Sequence, residues 1–430
     1  MDDNRHRFYY GWVIVAVSFF TLFFSIGTRH SFGVYYIAIL REYGWGRAET
    51  AGAFSLAMLT HALFAPVTGI LVDRLGPRRL FPGGALFLFI GLLAASRISN
   101  IWHLYLFFGV LVAIGINSMS YAPHMSIIPR WFIRRKGLAS GLMASGMGLG
   151  TLILVPFNEL MIEAIGWRSA FLLLSGIILI LLVPINALCH RNSPRDIGQF
   201  PDGMAPGHRE PTPCAQKRVQ GDKALSADRK QWTLKQAART KAFWYIFLSC
   251  LFDSVIINML LVHQAVHTVD LGYSVLLAAT LVGLVGVLGS AGGILCGFLS
   301  DLIGRAASYT LAGLLSFIGI LFFILIRDAS STWMLYAFVI LHGLGNGGKS
   351  PMAANIAGDL FPGRSLGRIM AIQSMGFGVG GSLGAYMGGY FYDKTGSYIV
   401  PFLILLAGIC IGIFAIWMAV LQKEGISQSS

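Results

Sequence analysis

The sequence predicts an all-α membrane protein, with twelve transmembrane helices arranged as two pseudo-symmetric six-helix bundles. Three observations lead there. Hydrophobic residues make up 55% of the 430 positions and charged residues only 12%, with a mean hydropathy of +0.68, too few charges to clothe soluble domains. Apolar runs of about twenty residues, the length that crosses a bilayer core, recur along nearly the whole chain. The first hydrophobic half is echoed by the second at a near-constant offset. This composition excludes a soluble enzyme and a single-pass receptor.

The polar start, Met1 to Arg7, runs into the first apolar stretch with no small-residue cleavage site, so the first helix reads as retained and not as a secretory signal. Breaks at polar or Gly/Pro clusters then delimit the elements. Helix 1 spans 10–38. Helix 2, 48–71, ends at Asp73-Arg74-Leu-Gly76. Helix 3 spans 79–96, and helix 4, 102–128, stops at Pro129-Arg130. Helix 5, 137–162, is divided from helix 6, 167–189, by Gly166. After a polar stretch follow helices 7 at 242–268, 8 at 275–299, 9 at 306–326, 10 at 332–358, 11 at 367–391 and 12 at 398–421.

The net charge of +13 resolves into topology. With both termini cytoplasmic, the inner segments hold 24 of the 32 basic residues, eleven of them between Arg191 and Lys241. The outer loops hold Arg41, Arg47, Arg97, Arg168, Arg327 and Lys394. Positive charge inside orients a multi-pass protein, here in the cell (inner) membrane, and a nucleic-acid partner is not needed to explain it. Residues 1–190 and 241–430 are the two bundles. Residues 191–240, rich in Pro, Gly, Gln and charge, read as a solvated cytoplasmic linker; Trp232, Leu234, Ala237 and Ala238 could alternatively form a short amphipathic helix at the membrane surface. Five scattered cysteines, Cys189, Cys214, Cys250, Cys296 and Cys410, imply neither a disulfide framework nor a zinc site.

The repeat is specific. Gly69-Ile-Leu-Val-Asp73-Arg74-Leu-Gly76-Pro-Arg78-Arg79 corresponds to Gly297-Phe-Leu-Ser-Asp301-Leu-Ile-Gly304-Arg305, and Trp102-His-Leu-Tyr105 to Trp333-Met-Leu-Tyr336. Gly146, Gly148 and Gly150 correspond to Gly376, Gly378 and Gly380. A constant offset along both halves means duplication, the plan of carriers whose site lies between repeats at the bilayer midplane. The glycine tracts lie inside apolar spans with no preceding strand, so close helix packing explains them better than a dinucleotide loop.

The loop after helix 2, G-x-x-x-D-R-x-G-x-R-R, repeated after helix 8, resembles the signature of the major facilitator superfamily. Asp73, Arg74, Arg78, Arg79, Asp301 and Arg305 would form a latch between conformations. Within that superfamily the chain is similar to the monocarboxylate transporter group and its bacterial relatives, including oxalate/formate exchanger-like members. The marks are Tyr10-Gly11-Trp12, Gly44-Trp45, Asn117-x-x-x-Tyr121, Arg130-Trp-Phe, Arg135-Lys136-Gly137, Gly166-Trp167-Arg168, Pro194-Arg-Asp196 and Pro201-Asp-Gly203. The Asp and Arg that the family carries in helix 8 are missing from Gly289-Ser-Ala-Gly-Gly293-Ile-Leu-Cys296, and its basic residue of helix 1 falls at His30, beside Arg29. The resemblance also places helices 1, 4, 7 and 10 around the cavity.

Ionisable groups inside spanning helices are costly and therefore site candidates. Arg29 and His30 lie in helix 1, Asp253 in helix 7 and Lys349 in helix 10. Two permanent cations against one carboxylate suit an anion. Arg29, His30 or Lys349 would bind it, or either permanent cation would pair with Asp253. Asp253 and His30 are the candidates for proton coupling, and Asn117, Tyr121 and Gln373 offer neutral hydrogen bonds to substrate. His61, His124 and His342 read as interior packing groups; His263 and His267 have metal-like spacing without a third ligand, so no metal and no cofactor are expected. The leading expectation is a secondary transporter, working as a monomer, that moves a small organic anion, such as lactate or pyruvate, with protons by alternating access. The alternatives are dicarboxylate/monocarboxylate exchange and proton-coupled export of drugs or other amphipathic compounds. Enzyme status is not expected, because no nucleophile and base stand at a recognisable spacing.

Overall fold

In the computed structural model, residues 9–133, 135–203, 232–362 and 365–428 are described. The architecture is helical throughout these residues. The spans are α1 (Gly11–Tyr43), α2 (Arg47–Leu75), α3 (Pro77–Ala95), α4 (Ile101–Trp131), α5 and α6 as the two parts of Lys136–Cys189, α7 (Lys241–Asp270), α8 (Val275–Ile303), α9 (Arg305–Leu325), α10 (Thr332–Leu360), α11 (Leu366–Thr395) and α12 (Ile399–Gln428). Gly166, at φ 80° and ψ 154°, separates α5 from α6, a conformation open essentially to glycine alone. Nine stretches among the described residues are long and apolar enough to cross a membrane. One of these contains both α5 and α6, while α10 and α11 have the length but are not among the nine.

Several helices outrun their apolar segments. α1 continues to Tyr43, bending at Ser31, and α4 reaches Trp131. Within α4 the helix breaks at Met119 and Ser120 and restarts at Tyr121. The signature loops turn at matched glycines, Gly76 (φ 71°) and Gly304 (φ 86°).

The glycine tracts explain how the bundles are built. A side chain at Gly146 or Gly150 would collide with the α1 backbone at Phe19 or Phe23, and one at Gly380 with Leu251 of α7. The middle glycine of each tract faces the other bundle instead, with Gly148 against Gly286 and Ser290 of α8 and Gly378 against Ala62 of α2. Thus α5 packs on α1 and crosses to α8, while α11 packs on α7 and crosses to α2. Small residues permit this backbone proximity where apolar burial supplies no drive between helices.

The segment before α7 departs from a solvated linker. Thr233 and Gln236 form a capping box on the short helix Leu234–Ala238, whose Ala237 is fully buried. The Trp232 ring meets Phe361 at 5.3 Å. At the other end of the connection, Tyr10 Oη donates to the Cys189 carbonyl (2.8 Å) and Ile133 N to Asp202 Oδ2 (3.0 Å). Residues 204–231, including Cys214, lie outside the described residues.

Candidate functional site

A cavity of about 650 Å³ separates the bundles, lined from one side by α1, α4 and α5 and from the other by α7, α8 and α10. Its lining runs to exposed residues near the linker end, among them Gly141, Ile294, Ser350 and Pro351. The far end is sealed. There Arg47, at the start of α2, grips Asp270 of α7 through two bonds of 2.6 and 3.0 Å. It also donates to Tyr398 Oη (2.9 Å) and lies 3.7 Å from the centre of the Tyr392 ring. Asp393 of α11 accepts the backbone N–H groups of Arg47 and Ala48 at 3.0 and 2.8 Å. Sequence reasoning counted Arg47 only as an outer-loop charge.

A connected chamber of about 390 Å³ holds the basic pole: Arg29, His30 and His61 all line it. Arg29 makes no ion pair with any described residue, and its Nε is buried without a partner. His30 Nδ1 is 2.9 Å from Thr151 Oγ1. The Thr151 hydroxyl donates to the Met147 carbonyl (2.9 Å), so its oxygen accepts from a protonated Nδ1 and leaves His30 Nε2 as the free acceptor of the neutral ring. His61 was read as an interior packing group. Its place beside Arg29 follows from how α2 is turned against α1, which no spacing within α2 reveals.

Asp253 and Lys349 meet inside the second bundle, behind the cavity wall. Lys349 Nζ lies 3.1 Å from Asp253 Oδ1, with both side chains almost fully buried. The ammonium is close enough for an ion pair but poorly aligned for a hydrogen bond. Asp253 Oδ2 accepts from Tyr309 Oη of α9 at 2.9 Å, a partner the sequence did not suggest. Asn346 and Ser350, close to Lys349 on α10, do reach the cavity.

The neutral candidates divide. Tyr121, 40% exposed, lines both compartments beside the break in α4. Asn117 is buried and donates to Thr68 Oγ1 (3.2 Å), tying α4 to α2. Gln373 is buried on α11 with its Nε2 unpartnered and does not line these compartments. His342 is 2.8 Å from Ser316 Oγ. His263 spends both ring nitrogens, on Tyr398 Oη (3.0 Å) and the Ala385 carbonyl (2.8 Å), so neither is free for a metal.

At the linker end, Asp73 faces Arg130 of α4 at 3.9 Å, and Arg305 holds Asp359 of α10 at 2.6 Å. Arg74, Arg78 and Arg79 instead line a surface pocket with Asn192, and Asp301 is exposed with no ion pair among the described residues. Of the six motif residues, Asp73 and Arg305 therefore reach α4 and α10, through Arg130 and Asp359, which the loop motif by itself does not contain.

Twelve spans in two duplicated bundles, packed through matched glycines around a central cavity, define a carrier built from internal repeats. The chain belongs to the major facilitator superfamily, whose family model matches residues 16–329 and 291–429. It is a multi-pass membrane transporter, not an enzyme, and is related to the monocarboxylate transporters. Monocarboxylate transporter 13 of Rattus norvegicus is 26% identical over 408 residues, covering 93% of this chain and 87% of its own. Monocarboxylate transporter 11 of Homo sapiens is 26% identical over 402 residues, covering 92% and 80%. The fold is similar to that of a bacterial homologue of the human lysosomal transporter Spinster, solved inward-facing and unoccupied, with a TM-score of 0.67, 17% identity, and 97% and 98% of the two chains covered.

Proposed function

We propose that this protein is a secondary active transporter that moves a small organic anion, a monocarboxylate such as lactate or pyruvate, by alternating access with proton symport. One observation carries the reading: Arg29 lines the chamber between the bundles with no carboxylate partner among the described residues. A buried, permanently charged guanidinium is costly unless something neutralises it, and a carboxylate does so through two parallel hydrogen bonds. His30 and Tyr121 stand on the same chamber to orient it.

Residues 1–190 and 241–430 act as the two rocking bodies, joined by residues 191–240 on the cytoplasmic side of the cell membrane, with both termini on that side. The basic inner segments support this orientation. The anion enters against Arg29 and His30. A proton taken up by Asp253 or His30 releases or reorganises the Asp253–Lys349 pair, and the bodies rock about the filled site. Lys349 acts through Asp253 and Gln373 supports α11, while Asn117 positions the α4 break that carries Tyr121. Anion exchange is the second reading, because an uncompensated Arg29 resists closure of the empty carrier.

Thermal unfolding of the purified protein in the presence of carboxylates at several pH values tests the proposal. A ligand at 100 times its Kd adds about 2.7 kcal/mol to stability. Lactate or pyruvate should raise Tm for the native protein and not for Arg29→Gln. An Arg29→Gln shift equal to the native one would sink the assignment.

A further inference from the structure

We infer that the preferred substrate is a carboxylate with an apolar body, such as an aryl or long alkyl acid, lying with its head on the first bundle and its tail against the second. The inference rests on the proposed anion transport and adds the chemistry of the rest of the molecule carried.

The cavity is polarised. Its chamber of basic groups, Arg29, His30 and His61, is built from α1 and α2, while the one histidine of the facing side, His342, is bonded within its own bundle. The facing wall is aliphatic: Ile257, Leu260 and Leu261 from α7, and Val282, Val285 and Ile294 from α8. The duplication makes the contrast sharp, because the repeat partner of Arg29 is Ile257. The packing supports that register: Phe19 and Phe23 of α1 meet the first glycine tract as Phe247 and Leu251 of α7 meet the second. Two of the polar groups on the aliphatic side are engaged within their own bundle. Ser290 Oγ donates to the Gly286 carbonyl (3.3 Å), and His342 Nδ1 is bonded to Ser316. Gln264, Asn346 and Ser350 also line this side, with Asn346 Oδ1 unpartnered among the described residues.

The two compartments share His30, Tyr121, Met147, Gly286 and Ser290, so head and tail regions are continuous. A space of about 650 Å³ is of the size that encloses ligands well beyond three carbons. A two- or three-carbon acid would satisfy Arg29 and leave the aliphatic wall wet. Each methylene laid on that wall is worth roughly a fourfold gain in affinity.

Lactate and 3-phenyllactate share a head and differ only in the ring, so they isolate the tail. Binding of each to the full-length protein in nanodiscs, corrected with empty nanodiscs, should favour 3-phenyllactate by at least about tenfold. Ile257→Asn, with Ile257→Ser as a milder second variant, should bring that ratio toward one, and Arg29→Gln should weaken both acids. Equal affinities in the native protein, or tighter binding of oxalate than of 3-phenyllactate, would overturn the inference while leaving anion transport standing. Binding of neither acid would overturn both.

Discussion

A guanidinium placed between two helical bundles without a carboxylate partner among the described residues is the residue on which the transport reading turns. Arg29, Asp253 and Lys349 were legible in the sequence because a charge inside an apolar run stands out. Which cation takes Asp253 was not, since that depends on how α7, α9 and α10 rotate against one another. The geometry gives Asp253 to Lys349 at 3.1 Å and leaves Arg29 to the cavity. Removing one member of such a pair strands the other, so Asp253→Asn should lower unfolding stability by about 3–5 kcal/mol, and the combined Asp253→Asn, Lys349→Met change by much less. Chemical denaturation in detergent reads both; a double variant no more stable than the single one would contradict a mutually compensating pair. If Asp253 also carries the coupled proton, an inward proton gradient should accelerate anion uptake by the native protein and not by Asp253→Asn.

At the level of elements, the helices were legible from hydropathy, but their ends and interruptions were not. The α4 break at Met119 and Ser120 is marked in the sequence only by Pro123, which has no N–H for the Met119 carbonyl, and the irregular backbone is tolerated where it borders a cavity. The glycine tracts were readable as packing devices, yet their split loyalty, outer glycines to the same bundle and the middle one across, needed coordinates. Gly150→Val should therefore push against the Phe23 backbone and cost about 1–3 kcal/mol, measurable as a drop in Tm; an unchanged Tm would contradict the packing account. The Arg47 seal makes a separate prediction. Arg47→Gln loses both bonds to Asp270 and the ring contact, so deuterium uptake should rise at the far ends of α1, α7 and α11. Uptake matching the native pattern would show that the seal does not depend on Arg47.

The whole molecule is one bundle made twice and then differentiated. Apolar spans and a constant repeat offset were enough to specify the architecture, because membranes admit few spanning structures. What repetition could not show is how the copies diverged: Arg29 corresponds to Ile257 in the register of the repeat, and among the described residues the fully buried ion pair lies in the second copy. Closed at Arg47 and lined by exposed residues toward the linker end, the structure is open on one side only, and under the proposed alternating access it is one of two states. Bound anion can drive the exchange only through a difference in affinity between those states.

The central claim, that an organic anion is carried on Arg29, is tested most directly by counterflow of a radiolabelled carboxylate in proteoliposomes. The native protein should accumulate label against unlabelled acid trapped inside, and Arg29→Gln should reduce the initial rate by at least about tenfold. Counterflow by Arg29→Gln at the native rate, or none by a native protein that still binds and exports cationic amphiphiles, would contradict it.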